Sequence, residues 1–123
     1  MARKFTEVLL SGSTGGRPIK VVATATAGTT VHATGTSSSV LDNLYVWAHN
    51  SDTVARTLTI EFGGVTDPDD LVVKQVSVPS RVAPMMVLAG QPLAGTGSAA
   101  RTVAAFASAA SVITLTGYVA RNS

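Results

Sequence analysis

The stretch Arg56-Thr57-Leu58-Thr59-Ile60-Glu61-Phe62 carries the clearest folding signal in this sequence. Its apolar residues Leu58, Ile60 and Phe62 recur at every second position, and polar or charged residues stand between them. A period of two is typical of a β-strand, because successive side chains of a strand point to opposite faces of the sheet. We therefore predict a strand here, with the apolar face buried and the polar face in water.

Similar segments recur along the chain and are separated by clusters of Gly, Ser, Asp, Asn and Pro, which is typical of all-β folds. In the last of them, Gly117 falls on the apolar face, which indicates close approach by another backbone or by a large ring such as Trp47. The nine predicted strands are residues 5–10, 19–27, 29–34, 44–50, 56–62, 70–78, 84–88, 102–108 and 112–119.

Residues 98–110 are rich in Ala, and helix propensity alone would favour a helix there. We predict a strand at 102–108 instead, because Val103, Ala105 and Ala107 alternate with Thr102, Ala104 and Phe106. The expected fold is all-β, an antiparallel β-sandwich of about eight or nine strands with a jelly-roll-like order. Residues 1–6 are expected to form a partly flexible arm, and residues 7–123 a single sandwich domain.

The composition excludes several classes of protein. The 123 residues fit one domain, and the absence of Cys excludes thiolate nucleophiles, Cys-based zinc sites and iron–sulfur clusters. A net charge of +2 from scattered basic residues does not favour a nucleic-acid partner. Pro and Gly interrupt the longest uncharged stretch, so we expect no membrane span, and the start lacks a signal-peptide pattern. We expect synthesis in the cytoplasm.

The residues that carry chemistry are few and scattered. His32 and His49 lie on different predicted strands, and no nucleophile stands beside either of them in a recognisable pattern. Glu7 and Glu61 are interpreted as surface residues rather than a glycosidase pair. The three carboxylates within residues 67–70 are interpreted as a solvated turn rather than a calcium loop. We therefore expect no enzyme activity, no catalytic residue, no cofactor and no metal site.

Two groups of residues are candidates for binding. Val22, Thr24 and Thr26 would form a weakly polar outward face of the strand at 19–27, which suits packing against another surface. Tyr45 and Trp47 share one face of their strand, an arrangement that sugar-binding sandwiches use for stacking on pyranose rings. In that second interpretation the loop at 67–70 would complete a glycan patch.

Three groups of residues in this sequence form turn-rich strand segments. They are Leu10-Ser11-Gly12-Ser13 with Gly16-Arg17-Pro18-Ile19-Lys20-Val21, then Leu58-Thr59-Ile60-Glu61-Phe62-Gly63-Gly64, and Gly117-Tyr118-Val119-Ala120-Arg121-Asn122. Together they resemble a family of small virion proteins of tailed bacteriophages. The resemblance implies a structural part of the particle, such as a capsid decoration or cement protein on the capsid surface of the virion.

On this basis we expect a homotrimer that binds the major capsid protein and stabilises the head shell through repeated protein–protein contacts. Arg3 and Lys4 would reach acidic shell protein, and Val22, Thr24 and Thr26 would meet the shell or neighbouring subunits. The alternative is a glycan-binding or structural module of a tail, neck or fibre, with Tyr45 and Trp47 in the glycan patch.

Overall fold

The computed structural model describes residues 4–123, which form two antiparallel β-sheets and no helix. Sheet A has the strand order β1-β9-β4-β7, with β2 also paired to β9, and sheet B has the order β3-β8-β5-β6. The strands are β1 Phe5–Leu9, β2 Ile19–Lys20, β3 Thr29–Ala33, β4 Leu41–Asn50, β5 Arg56–Phe62, β6 Leu71–Val78, β7 Met85–Leu93, β8 Thr102–Ala107 and β9 Ile113–Asn122.

The all-β prediction is confirmed, and the Ala-rich segment forms β8 rather than a helix. Strands β1 and β2 lie along the same side of β9, since Leu9 is opposite Tyr118 and Ile19 is opposite Leu115. From β2 onward, consecutive strands lie in different sheets, with the exception of the β5–β6 pair. The described residues contain no helix that could span a lipid bilayer.

The core lies between the two sheets and is built by alternation along each strand. Strand β4 is the clearest case, because every second residue from Asp42 to Asn50 is buried and the residues between them are half-buried. Buried aliphatic side chains from both sheets meet in one cluster, as a sandwich requires. Its largest fully buried members are Leu10, Leu44, Leu58, Ile60, Ile113, Leu115, Val21, Val31, Val46 and Val78.

The predicted strand at 19–27 is wrong beyond Lys20. After Val21 the chain leaves sheet A, and the Thr29 hydroxyl accepts hydrogen bonds from the Val22 and Ala23 N–H groups. The Ala23 carbonyl then accepts a hydrogen bond from Ala107 of sheet B. We call residues 22–28 the strap, because they cross from one sheet to the other. A side chain that captures two backbone donors ends the strand here.

The prediction that the polar face of β5 lies in water is wrong. Thr59 is buried and Glu61 is only 1% exposed. The Gly28 N–H of the strap donates to Glu61 Oε1 at 3.2 Å, and the Gln75 N–H donates to the Thr59 hydroxyl at 3.0 Å. The strap therefore covers part of the outer face of sheet B, which the alternation in the sequence cannot reveal.

The strand predicted at 5–10 is confirmed as β1, so Phe5 and Thr6 of the expected arm pair with Asn122 and Arg121 of β9. Other strand boundaries differ from the prediction. Strand β4 begins at Leu41, and β9 continues to Asn122. Strand β7 continues past Leu88 to Leu93, although it contains a glycine and a proline. Because β7 is an edge strand, a proline costs it no hydrogen bond on its open side.

Gly117 is required by the contact between the two central strands of sheet A. A Cβ at this position would overlap the carbonyl oxygen of Tyr45 on β4. The expected close approach of another backbone is confirmed. The suggestion that Trp47 fills the space is wrong, because Trp47 is opposite Thr116 and points to the other face.

We expect Gly117→Ala to lower the free energy of unfolding by about 2 kcal/mol or more, because β4 and β9 must separate to admit the methyl group. Urea denaturation measures this effect. Gly35→Ala is the control, since no atom lies within 4 Å of the added Cβ at that position. Equal stability of the two variants would contradict the explanation.

Candidate functional site

The outer face of sheet A has an apolar part, although the exposed Glu7 of β1 and Lys20 of β2 lie on the same face. An exposed apolar area of this kind is unusual for a sheet face in water. One cross-strand row runs through Leu9 of β1, Tyr118 of β9, Tyr45 of β4 and Ala89 of β7. In the adjacent row, Trp47 is opposite Met86. Leu9 and Met86 are 54% and 45% exposed. We call the surface formed by Leu9, Tyr45, Trp47, Met86, Ala89 and Tyr118 the sheet A face.

Three aromatic rings form the middle of the sheet A face. The Tyr118 ring stacks on Tyr45 with a centroid distance of 5.0 Å and on Trp47 with a distance of 6.3 Å. Gly90 of β7 has a φ of 79°, and a Cβ there would lie 3.0 Å from the Tyr45 hydroxyl oxygen. The glycine therefore leaves room for the Tyr45 ring, and the stack is held in one arrangement.

The structure brings Tyr45 and Trp47 together on one face, as expected. The loop at 67–70 does not join them, because it connects β5 and β6 of the other sheet. The sequence analysis missed Leu9, Tyr118 and Met86 as members of this surface. Strand pairing brings them together from distant positions in the chain. The only signal in the sequence was that each occupies an outward position in the alternation of its own strand.

The predicted shell contacts are placed differently. Val22, Thr24 and Thr26 are exposed as expected, but they lie on the strap rather than on a strand. Lys4 is exposed at the start of β1, where its N–H donates to the Ser123 carbonyl at 2.7 Å. Arg3 lies outside the described residues. Of these residues, the four that the structure describes all lie outside the sheet A face.

A buried polar network joins the two sheets near the start of β4. His32 of β3 and Asp42 of β4 are each about 1% exposed, and His32 Nε2 lies 2.8 Å from Asp42 Oδ2. Arg121 of β9 donates from Nε to Asp42 Oδ1 at 2.7 Å and from a terminal nitrogen to Oδ2 at 3.0 Å. The paired guanidinium bonds fix the carboxylate between β3 and β9.

The hydrogen bonds fix the tautomer of His32. The Ser11 N–H donates to Nδ1 at 3.0 Å, so this nitrogen carries no proton, and Nε2 is the nitrogen that donates to Asp42. The Ser11 hydroxyl instead accepts a hydrogen bond from the Ala33 N–H. Although Ser, His and Asp meet here, neither ring nitrogen is free to accept a proton from a nucleophile. The network therefore connects strands rather than performing acyl transfer.

The charges of the network are mutually stabilised. Burial raises the pKa of Asp42, but hydrogen bonds from Arg121 and His32, with the nearby Arg121 charge, lower it by more. The pKa of Asp42 therefore lies below its ordinary value of 3.8. The hydrogen bond to Asp42 likewise raises the pKa of Arg121. The ionised carboxylate is the form that holds the network together.

A second polar contact joins the sheets at the other end of β4. The buried Asn50 side chain donates to the carbonyls of Val54 and Val78, and its Oδ1 accepts from the Asp52 N–H. Val78 ends β6 of sheet B. Strand β4 is therefore attached to sheet B by Asp42 near its start and by Asn50 at its end.

The remaining carboxylates do not form a reactive pair. Glu7 is exposed on β1, whereas Glu61 is buried on the outer side of sheet B, so the interpretation of Glu61 as a surface residue is wrong. Asp67 forms an ion pair with Lys74, and Asp70 accepts the Thr66 N–H. Within residues 4–123 no group of three His, Cys, Asp or Glu side chains is arranged to hold a metal ion.

We expect Asp42→Asn to lower the free energy of unfolding by about 3 kcal/mol, because the buried His32 and the half-buried Arg121 both lose a charged acceptor. Since the folded pKa is lowered, the contribution of Asp42 is fully present above pH 3.8 and is lost as the pH falls through the folded pKa. Urea denaturation at pH 7 and below pH 4 measures both effects.

Asp69→Asn is the matched control, because Asp69 is exposed and forms no ion pair with the described residues. The loss of stability in acid should be smaller in Asp42→Asn than in the control. Some acid sensitivity should persist, since the Thr53 N–H and Arg56 also lower the pKa of Asp52. If Asp42→Asn were as stable as Asp69→Asn at pH 7, the proposed role of the network would be wrong.

Comparison with known proteins found no match to this chain among protein-family models, curated proteins or solved structures. The resemblance to phage virion proteins, which came from short sequence segments, is therefore still a prediction. What the chain does must be inferred from its own surfaces.

Proposed function

We propose that this chain is a structural protein of a tailed-bacteriophage virion rather than an enzyme, and that it acts as a capsid decoration or cement protein. The observation that carries the proposal is the sheet A face. Leu9, Met86 and the three aromatic rings form a contiguous apolar surface on a folded domain. Such surfaces mark contacts with other macromolecules, because exposure of apolar area to water is unfavourable.

The composition of this surface fits a protein partner. Tyr, Trp and Met are enriched in the centres of protein–protein interfaces, and charged residues are depleted there. The sheet A face contains two Tyr residues, Trp47 and Met86. In the proposed function this face meets the major capsid protein on the outside of the head.

Repeated contacts would give the stabilising effect. One face of this size binds with limited strength, but a homotrimer presents three copies to a symmetric shell. Once the first contact has formed, the second and third form at a high effective concentration, which strengthens the overall binding to the shell. A shell held at many such points needs more heat or force to break. The relation between copies follows the symmetry of the shell.

The jelly-roll description belongs to the same proposal. If β1 and β2 are counted as one interrupted edge strand, each sheet has four strands, and only the β5–β6 connection stays within a sheet. This order supports a jelly roll, which is two Greek keys folded into a sandwich and occurs in viral capsid domains. It supports the proposed class of protein but does not identify a partner.

To test the proposal, purified chain is mixed with heads that lack it, and the bound fraction is measured after sedimentation. We expect the wild type to bind and to raise the temperature at which the heads break. Leu9→Lys combined with Met86→Lys should weaken binding about tenfold or more, because two charges would be buried at the interface.

Val54→Lys is the matched control, because Val54 is 51% exposed but lies in the β4–β5 turn, away from the sheet A face. This variant should bind like the wild type. Equal binding by the double variant, or no binding of the wild type to any head, would overturn the proposal.

Glycan binding by a tail or fibre module is the second candidate. The observation that favours it is the aromatic stack, which brings Tyr45 and Trp47 to the outer surface of a sheet. Tyr118 lies between them and occupies ring faces that a sugar would use. A sugar would therefore have to stack on the outer side of Trp47.

Fluorescence separates the two candidates, because Trp47 is the only tryptophan of the chain. If the chain binds shell protein alone, its emission should not respond to host polysaccharide but should shift when heads are added. A saturable shift with polysaccharide would favour the glycan function instead.

A further inference from the structure

A basic cleft lies between the edge strands of the two sheets. Its volume is about 570 Å³, and it is lined by β2, by the start of β3 and by the loop that joins β1 to β2. Arg17 and Lys20 are exposed at this cleft and form no ion pair with the described residues. The remaining lining residues are Gly12, Ser13, Thr14, Pro18, Ile19, Thr29 and Thr30, with no carboxylate among them.

The opposite charge is concentrated in the β5–β6 turn. Asp67, Asp69 and Asp70 lie within four residues of this turn. Lys74 neutralises Asp67 in part, and Asp70 is held by the Thr66 N–H. Asp69 is exposed and forms no ion pair within residues 4–123. We call residues 67–69 the acidic turn.

The cleft and the acidic turn of one copy do not meet. None of residues 67–69 lines the cleft. Asp67 instead borders a separate pocket on the outer side of sheet B, with Thr26, Thr59 and Phe106. Within one copy the two surfaces are therefore separate.

We infer that the basic cleft binds the acidic turn of a second copy of this chain. The contact is head-to-tail, because it joins two different surfaces, and such contacts form rings when the rotation between copies closes. The inference rests on the proposed function in one respect, since the ring is identified with the homotrimer. Each copy gives one acidic turn and receives one.

Ion pairs between exposed side chains would hold this contact together. The pairs formed by Arg17 and Lys20 with Asp69 lie at the surface, so each contributes little and is screened by salt. Association of isolated copies should therefore be weak, strongest at low ionic strength and reinforced by ring closure. Lys20 lies on the outer side of sheet A, but none of the six residues of the sheet A face lines the cleft.

The test measures the mass of the wild-type chain by analytical ultracentrifugation over a range of concentrations and salt. We expect association at low salt that weakens as salt is added. Arg17→Glu with Lys20→Glu, or Asp69→Lys alone, should each weaken association about tenfold or more. Lys4→Glu and Glu7→Lys are the controls, because each reverses one charge on β1 or beside it, outside the cleft and the acidic turn. Both should associate like the wild type.

Mixing the variants tests the head-to-tail geometry directly. A chain with a reversed cleft still has its acidic turn, and a chain with a reversed turn still has its cleft. The mixture should therefore associate although neither variant does so alone, because the unchanged cleft meets the unchanged turn and the reversed cleft meets the reversed turn. A single chain with all three changes should associate again, because both charges have been exchanged.

A wild-type chain that is monomeric at every protein and salt concentration would overturn the inference. Association that is unchanged by the charge reversals would also overturn it. The two proposals fail separately. If the reversed variants bind heads as the wild type does and the copies never associate, the inference fails while the proposed function stands. If the copies associate as expected but never bind heads, the proposed function fails while the head-to-tail contact stands.

Discussion

The alternation of side chains along β4 is the constraint on which the rest of the structure depends. Its inward residues fill the core between the sheets, and its two inward polar residues, Asp42 and Asn50, attach it to sheet B near both ends. Its outward residues Tyr45 and Trp47 form the middle of the sheet A face. A slip of one residue would bury the rings and expose the core, so fold and surface are fixed by the same register.

The buried polar groups hold the two sheets together, whereas the sheet A face is the part proposed to bind a partner. The carboxylate of Asp42 is buried beside His32 and is bound by the half-buried Arg121, and both ring nitrogens of His32 are occupied. Removing one partner of such a group is costly, because the others remain buried without it. The network therefore gives the sandwich a defined arrangement of its sheets at one end. The aromatic stack lies outside this arrangement and is free to meet a partner.

The sequence was sufficient to predict the fold class and most strands, because period-two alternation reports directly on the pleat of a sheet. It failed for residues 21–27, where the Thr29 side chain takes the backbone donors that a longer strand would have used. It also failed for Glu61, whose burial depends on the distant Gly28. The candidate surface could be predicted only in part. Tyr45 and Trp47 are two residues apart on one strand, but Leu9 and Tyr118 join them through pairing that no local pattern encodes.

The central claim is that the sheet A face is the surface by which this protein is held in a larger particle. A density map of the assembled particle tests it most directly, because it shows which side of each sandwich meets its neighbours. The account predicts that Leu9, Trp47 and Met86 lie against a neighbouring protein. A map in which that face is open to solvent, while other surfaces of the sandwich make all the contacts, would contradict it.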